Sequence, residues 1–151
     1  MKTIKILQGN SGHKNSDLGV DIAISESLKD KKVCFVFSGY LTRSFNRFNR
    51  VLVKNDIHNY QTSNLQIVLD KLEVTSKEAI NSWIDRNISS NVDLLVIDTL
   101  NIATKKYKKS KRLQPCIDNL RLLSDTLDCD LLLLHTGEIP WLLRTTFAQY
   151  K

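Results

Sequence analysis

The chain has 151 residues, of which 42% are hydrophobic and 25% charged, so it is long enough for one domain with a sizeable core. It contains no apolar run near the ~20 residues of a membrane span, and its first residues carry no signal-peptide pattern. Its cysteines are odd in number (Cys34, Cys116 and Cys129), and two of them lie in or beside apolar segments, which predicts buried thiols rather than disulfides or metal ligands. We therefore expect a cytoplasmic protein with a single domain over 1–151 and no metal site.

The formal net charge is +6, and the excess is concentrated in one place. The residues concerned, which we call the basic segment, are Lys105, Lys106, Tyr107, Lys108, Lys109, Lys111 and Arg112. These six cations equal the whole surplus, so the rest of the chain is close to neutral. Such a concentration predicts a polyanionic partner, with nucleic acid as the first candidate. The alternative is a solvated loop without a partner.

Strand and helix patterns alternate along the chain, which is typical of a parallel α/β sheet. A strand at 4–7 leads through a glycine-containing loop into a helix predicted over 16–28. The side chains predicted to form the buried stripe of this helix are Leu18, Ile22, Ala23 and Leu28. The run 33–37 is fully apolar, as an inner strand of such a sheet requires. A helix over 41–53 follows.

The second half of the chain continues this alternation. After a polar segment at 55–64, with a short strand near 57–60, the patterns predict a helix over 76–88 and a strong inner strand at 93–98. Beyond the basic segment they predict a helix over 114–127 and a strand at 130–134. The tail that follows has no clear pattern.

Three of these segments should meet, because ligands of parallel sheets bind beyond the carboxyl ends of the strands. The loop from Gly9 to Ser16 follows the first strand, in the setting where the phosphate-binding pattern G-x-x-x-x-G-K-[ST] has a meaning. Asp98 ends its strand, where a carboxylate can act as outer ligand of a nucleotide's magnesium, with Ser16 as the inner ligand. His135 follows the last strand and would sense a γ-phosphate. The structural alternatives are an ordinary strand-to-helix loop, a loop cap and a satisfied polar residue.

In order and spacing these segments resemble the RecA-like P-loop ATPases, and among them the DnaB-type replicative helicases. The resemblance covers about 3–136: residues 32–38 resemble the second strand of that branch, 95–100 its Walker B strand, and 120–135 its final helix and sensor strand. It implies a three-layer RecA-like core with a mainly parallel sheet, in a minimal and truncated form. It also implies a role in DNA replication or recombination, of phage or plasmid type.

The loop departs from this family at its centre. Lys14 stands at the required second glycine, and Asn15 replaces the lysine that reaches the phosphates. Asp17 places a carboxylate at the predicted helix start, where phosphates would bind. Tyr40 stands near the position of the family's catalytic glutamate and is a poor base at neutral pH. We therefore expect no catalytic residue and no cofactor. The vestigial nucleotide site would consist of Gly9, Gly12, Lys14, Ser16, Asp98 and His135.

Three hypotheses on function remain open. The first is a catalytically degenerate RecA-fold protein whose basic segment binds nucleic acid, with Tyr107 stacking on a base. The second is an atypical NTPase that uses ATP and Mg²⁺, with Lys14 supplying the missing charge. The third is a protein-interaction module that docks on a RecA-like ring, filament or helicase as a decoy subunit. A homo-oligomer is compatible with these hypotheses, and no membrane partner is expected.

Overall fold

Six parallel strands form one sheet, with the order β3-β2-β4-β5-β1-β6. The computed structural model describes residues 2–9, 12–37, 46, 48–50, 53–54, 64–98, 113–136, 139 and 141–150. The strands are β1 (Ile4–Gly9), β2 (Val33–Phe37), β3 (Leu65–Val68), β4 (Leu94–Asp98), β5 (Asp130–Thr136) and β6 (Ala148–Gln149). The helices are α1 (Gly12–Ser27), α2 (Lys77–Asn87), α3 (Leu113–Leu127) and α4 (Trp141–Thr146). The predicted α/β class with a parallel sheet is therefore confirmed.

Helices cover both faces of the sheet, and each face has its own core. The connection through α1 leads from β1 across the sheet to β2, whereas the connections through α2, α3 and α4 run in the opposite direction. Crossover connections between parallel strands share one handedness, so connections that run in opposite directions lie on opposite faces of the sheet. Helix α1 therefore lies on one face, and the other three helices lie on the other. The two separate buried clusters agree with this division. We call the two sides of the sheet the α1 face and the α2–α4 face.

Helix α2 agrees with its prediction over 76–88 to within one residue at each end. Ser76 has extended backbone angles, and its hydroxyl accepts a hydrogen bond from the backbone N–H of Ala79 at 3.1 Å, which is an N-cap. Ile80 and Trp83 are buried as predicted. Helix α3 also follows its prediction, and its apolar stripe is buried against β4 and β5.

Other sequence predictions agree less closely with the structure, and some concern residues that the structure does not describe. The predicted buried stripe of α1 is wrong at two positions, because Leu18 is 44% and Leu28 is 63% exposed. The predicted Ile22 and Ala23 are buried, and the rest of the buried side is formed by Ser16, Gly19, Val20, Ile24 and Ser27, so it includes several small residues. Residues 46, 48–50 and 53–54 are helical, in agreement with the helix predicted over 41–53, and Phe48 packs edge-on against Phe35. The short strand predicted near 57–60 lies outside the described residues.

The small residues of α1 allow this helix to approach β5 closely. A Cβ atom added at Gly19 would collide with Leu134 Cδ1. We expect Gly19→Ala to destabilise the protein by about 1–2 kcal/mol, because overpacking costs about 1–3 kcal/mol and exceeds the gain of up to about 1 kcal/mol in helix propensity. Urea unfolding at equilibrium measures the difference.

Ser25 provides the matched control, since it lies in the same helix and is exposed. Ser25→Ala should change the free energy of unfolding by less than about 0.5 kcal/mol. Gly19→Ala should also cost less in a Leu134→Val background, where the colliding atom is gone. A stabilising effect of Gly19→Ala in the native background would contradict the close packing of α1 on β5.

Candidate functional site

The carboxyl ends of three adjacent strands, β4, β5 and β1, form the edge of the sheet at which the sequence predicts a site. In the pairing register Asp98 is level with Leu134, and Gln8 is level with His135. The chain leaves β1 toward one face, while it leaves β4 and β5 toward the other. A crevice for a ligand is expected where the connections of adjacent strands diverge in this way.

The structure brings Ser16 and Asp98 into direct contact. Ser16 Oγ donates a hydrogen bond of 3.1 Å to Asp98 Oδ1, although the two residues are 82 positions apart in the chain. Both side chains are buried, with 5% and 6% of their residue surface exposed. A buried carboxylate requires hydrogen-bond donors, and α1 supplies one here. The sequence predicted these two side chains as partners, and they are neighbours on the α1 face.

His135 lies at the same edge but points to the other face. Strand β5 extends to Thr136, two residues beyond its predicted end, so His135 belongs to the strand. Side chains alternate along a strand, and Leu134 packs in the core of the α1 face, so the buried His135 faces α2–α4. Of the predicted site residues, Ser16 and Asp98 are thus in direct contact, and the role of His135 stays a prediction.

The connection between β1 and α1 is shorter than predicted. Strand β1 ends at Gly9 and α1 begins at Gly12, four residues before the predicted helix start, so only two residues separate them. The predicted loop over 9–16 is wrong in this respect. A phosphate-binding loop needs a longer non-helical turn whose backbone N–H groups surround the phosphates. Lysine is a much better helix former than the glycine that the phosphate-binding pattern requires at this position, so Lys14 favours the earlier helix start.

The earlier start of α1 also changes the position of Asp17 within the helix. This residue lies in the second turn of α1 rather than in the first, so its predicted interaction with the helix end is wrong. The side chains of Lys14 and Asn15 lie outside the described part, so the hypothesis that Lys14 swings into the site stays a prediction.

The cysteines and the acidic residues limit the chemistry of the described part. All three thiols are buried and free, as predicted, and burial raises the pKa of Cys34, Cys116 and Cys129 to about 12. At neutral pH they are protonated and unsuited to nucleophilic catalysis. Among the described residues, no group of three or more His, Cys, Asp or Glu is placed to hold a metal ion.

The basic segment and Tyr40 lie outside the described residues, so their roles stay predictions. The structure fixes the two points between which the basic segment must run. The chain leaves β4 at Asp98 and returns at Leu113, the first residue of α3. Since α3 leads back to the start of β5, both points lie on the carboxyl side of the sheet.

No model of a known protein family matches this chain, and no curated protein matches it significantly. No helix in the described ranges is both long and apolar enough to span a bilayer. Sequence reasoning also missed a cleft at the opposite edge of the sheet. Its one signal was Lys5, which interrupts the apolar run of β1.

Proposed function

We propose that this chain is a catalytically degenerate RecA-like domain that works by binding nucleic acid, in DNA replication or recombination. The observation that carries the proposal is the buried hydrogen bond between Ser16 and Asp98. In P-loop ATPases a serine or threonine after the loop and an aspartate on the Walker B strand hold the magnesium ion together. This chain places that pair of residue types side by side on adjoining elements.

Loss of hydrolysis is supported by what surrounds this pair. The lysine that would neutralise the β- and γ-phosphates is replaced by Asn15. The helix begins at Gly12, which leaves too few residues for a loop around a triphosphate.

Binding of nucleic acid is supported by the position of the basic segment in the chain. It connects β4 to α3, so six cations lie between two elements whose joining ends are at the carboxyl edge. In RecA-like proteins the segment after the Walker B strand commonly faces the DNA channel. Lysines neutralise phosphates in any sequence, and an aromatic ring such as that of Tyr107 stacks on any base.

We expect no appreciable ATP hydrolysis by the pure protein in the presence of Mg²⁺, because both the phosphate-binding lysine and a general base are missing. Release of inorganic phosphate measures this directly. A turnover above about 1 per second, which lies in the ordinary enzyme range, would overturn the proposal if Asp98→Ala abolished it. The same result would favour the atypical NTPase that uses Lys14.

Restoring the phosphate-binding pattern of the loop tests the missing lysine separately from the missing general base. The double change Lys14→Gly with Asn15→Lys recreates the G-x-x-x-x-G-K-S pattern between Gly9 and Ser16. This variant should gain nucleotide binding, measured by calorimetry, but it should not hydrolyse ATP quickly. The matched control carries the same double change together with Asp98→Ala and should lose magnesium-dependent binding. Fast hydrolysis by the double variant would place a working base in the native chain.

A further inference from the structure

A cleft of about 380 Å³ lies at the amino edge of the sheet, opposite the Ser16–Asp98 pair. It is formed by the first residues of β1, β4 and β5, by the second half of α1 and by Tyr150. Sites for small molecules in proteins have volumes of about 300–1,000 Å³. The cleft therefore has room for a compound of one or two rings.

Apolar side chains form part of the cleft lining. Ile22 of α1, Leu94 of β4 and Leu132 of β5 line the cleft, and all three belong to the core on the α1 face or pack against it. Tyr150 forms a further wall and is fixed by its backbone N–H, which donates to the carbonyl oxygen of Ile6 at 2.9 Å. This apolar part of the lining favours the apolar body of a ligand over water.

Two of the carboxylates in the cleft serve the fold. Asp130 Oδ1 accepts a hydrogen bond of 2.8 Å from the backbone N–H of Thr3. Asp93 Oδ2 accepts one of 2.8 Å from the backbone N–H of Lys32. These bonds tie the starts of β1 and β5 together, and likewise those of β2 and β4, so each carboxylate has a structural role.

The third carboxylate is neutralised by its own neighbours. Glu26 forms ion pairs with Lys31 at 2.8 Å and with Lys29 at 3.5 Å. The hydrogen bond from Lys31 lowers the pKa of Glu26, and Glu26 in turn raises the pKa of Lys31. Both groups are thus charged at neutral pH, and Lys31 is occupied by this pair.

Lys5 is the unusual group. It lies on β1, an inner strand paired with both β5 and β6, and its register neighbours are Leu132 and Ala148. Inner strands of parallel sheets are normally apolar throughout. Lys5 and the nearby Lys2 are exposed at the cleft and have no ion pair in the part of the chain that the structure describes.

The backbone of Lys5 is offset along the sheet from that of Asp130, the carboxylate on the neighbouring strand. Lys5 is level with Leu132, two residues further along the sheet than Asp130. At about 3.3 Å per residue this separation is about 7 Å along the strands. This offset allows an acidic group held by Lys5 to bind on the side away from Asp130, while the rest of the ligand contacts Leu94 and Leu132.

We propose that this cleft binds a small organic anion, with one acidic group on an apolar body of one or two rings. Lys5 contacts the acidic group, and Ile22, Leu94 and Leu132 contact the rings. The acidic group is a carboxylate, a sulfonate or a phosphate ester, which share the charge and the acceptor oxygens that a lysine requires. This proposal is independent of nucleic-acid binding, because it uses the opposite edge of the sheet.

The test uses the full chain and three matched probes: 1-naphthalenesulfonate, uncharged 1-naphthol and inorganic sulfate. Amide shifts in ¹⁵N spectra give both the affinity and the location. We expect the sulfonate to bind at least ten times more tightly than either other probe, since it alone has both the charge and the rings. The shifts should centre on Lys5, Ile22, Leu132 and Tyr150. Equal affinity for 1-naphthol, or shifts centred elsewhere, would overturn the proposal.

A pair of lysine variants tests the role of the charge. Lys5→Met keeps most of the stem and should weaken binding of the sulfonate at least tenfold, because a hydrogen bond to a charged group is lost. Lys77→Met removes an exposed lysine from α2 on the other face and should leave the affinity unchanged. Unchanged binding in Lys5→Met would overturn the role of Lys5. If this variant folds poorly, the comparison of the three probes on the native chain still supports or overturns the proposal.

Discussion

Trp83→Ala is expected to destabilise the protein by about 3–5 kcal/mol, the usual cost of truncating a buried aromatic side chain to alanine. Trp83 is 1% exposed in the core of the α2–α4 face. Its Nε1 donates a hydrogen bond of 2.8 Å to the carbonyl oxygen of Asp70, which holds the segment after β3 against α2. Truncation therefore leaves a cavity and a carbonyl without its donor. Chemical unfolding at equilibrium measures the loss.

Two milder changes separate the contributions. Trp83→Phe keeps most of the ring but removes the donor, so we expect a loss of about 1–3 kcal/mol. Arg86→Ala breaks only an ion pair between Arg86 Nε and Asp70 Oδ2 at 2.8 Å, whose side chains are 56% and 39% exposed, and it should cost less than about 1 kcal/mol. If Arg86→Ala cost as much as Trp83→Ala, the surface network rather than the core would stabilise this corner.

The inner strands and the larger helices were predictable because their physical signals are strong. The run that became β2 is apolar throughout, and those that became β4 and β5 are apolar except at their ends, as burial on both faces requires. Helix α3 has large apolar side chains at helical spacing. For helix α1 the prediction was right for Ile22 and Ala23 but wrong for Leu18 and Leu28. Part of its buried side consists of Ser16, Gly19 and Ser27, and small residues give no hydrophobic signal.

The two edge strands of the sheet have sequence patterns that are too short to predict them. Strand β3 has four residues and β6 has two, and both gain order from pairing with an inner strand rather than from their own pattern. Helix α4 has six residues, and it was missed for the same reason. Short elements of this kind are determined by tertiary context, which a local pattern does not contain.

The positions of the candidate site residues were only partly predictable from the order and ends of the strands. Asp98 was predicted at the end of β4, where it lies, and the contact with Ser16 followed from the order of the elements. His135 was placed one step beyond the end of a strand that in fact includes it. Its side chain alternates with that of Leu134 and therefore faces α2–α4, a point that the sequence pattern alone did not address.

The basic segment is expected to give nucleic-acid binding a steep dependence on salt. If four of its six cations contact phosphates of a single strand, the logarithm of the affinity should fall with the logarithm of salt concentration with a slope of about −2.8. That slope corresponds to a loss of about fiftyfold between 50 and 200 mM salt. Fluorescence anisotropy with a labelled oligonucleotide measures it. Changing Lys105, Lys106, Lys108 and Lys109 to alanine should flatten the slope and weaken binding to all sequences alike.

Position rather than net charge should decide this effect, and a second set of four lysines tests it. Lys29, Lys54, Lys71 and Lys77 are exposed and lie elsewhere in the chain, so their replacement by alanine removes the same charge and should leave the slope nearly unchanged. Tyr107→Ala should instead cost about 1–3 kcal/mol of binding at a constant slope, because stacking releases no counterions. If the native protein binds neither single- nor double-stranded nucleic acid at about 50 mM salt, this proposal is wrong. Docking on a RecA-like partner would then be the better hypothesis, since it requires the fold without the phosphate contacts.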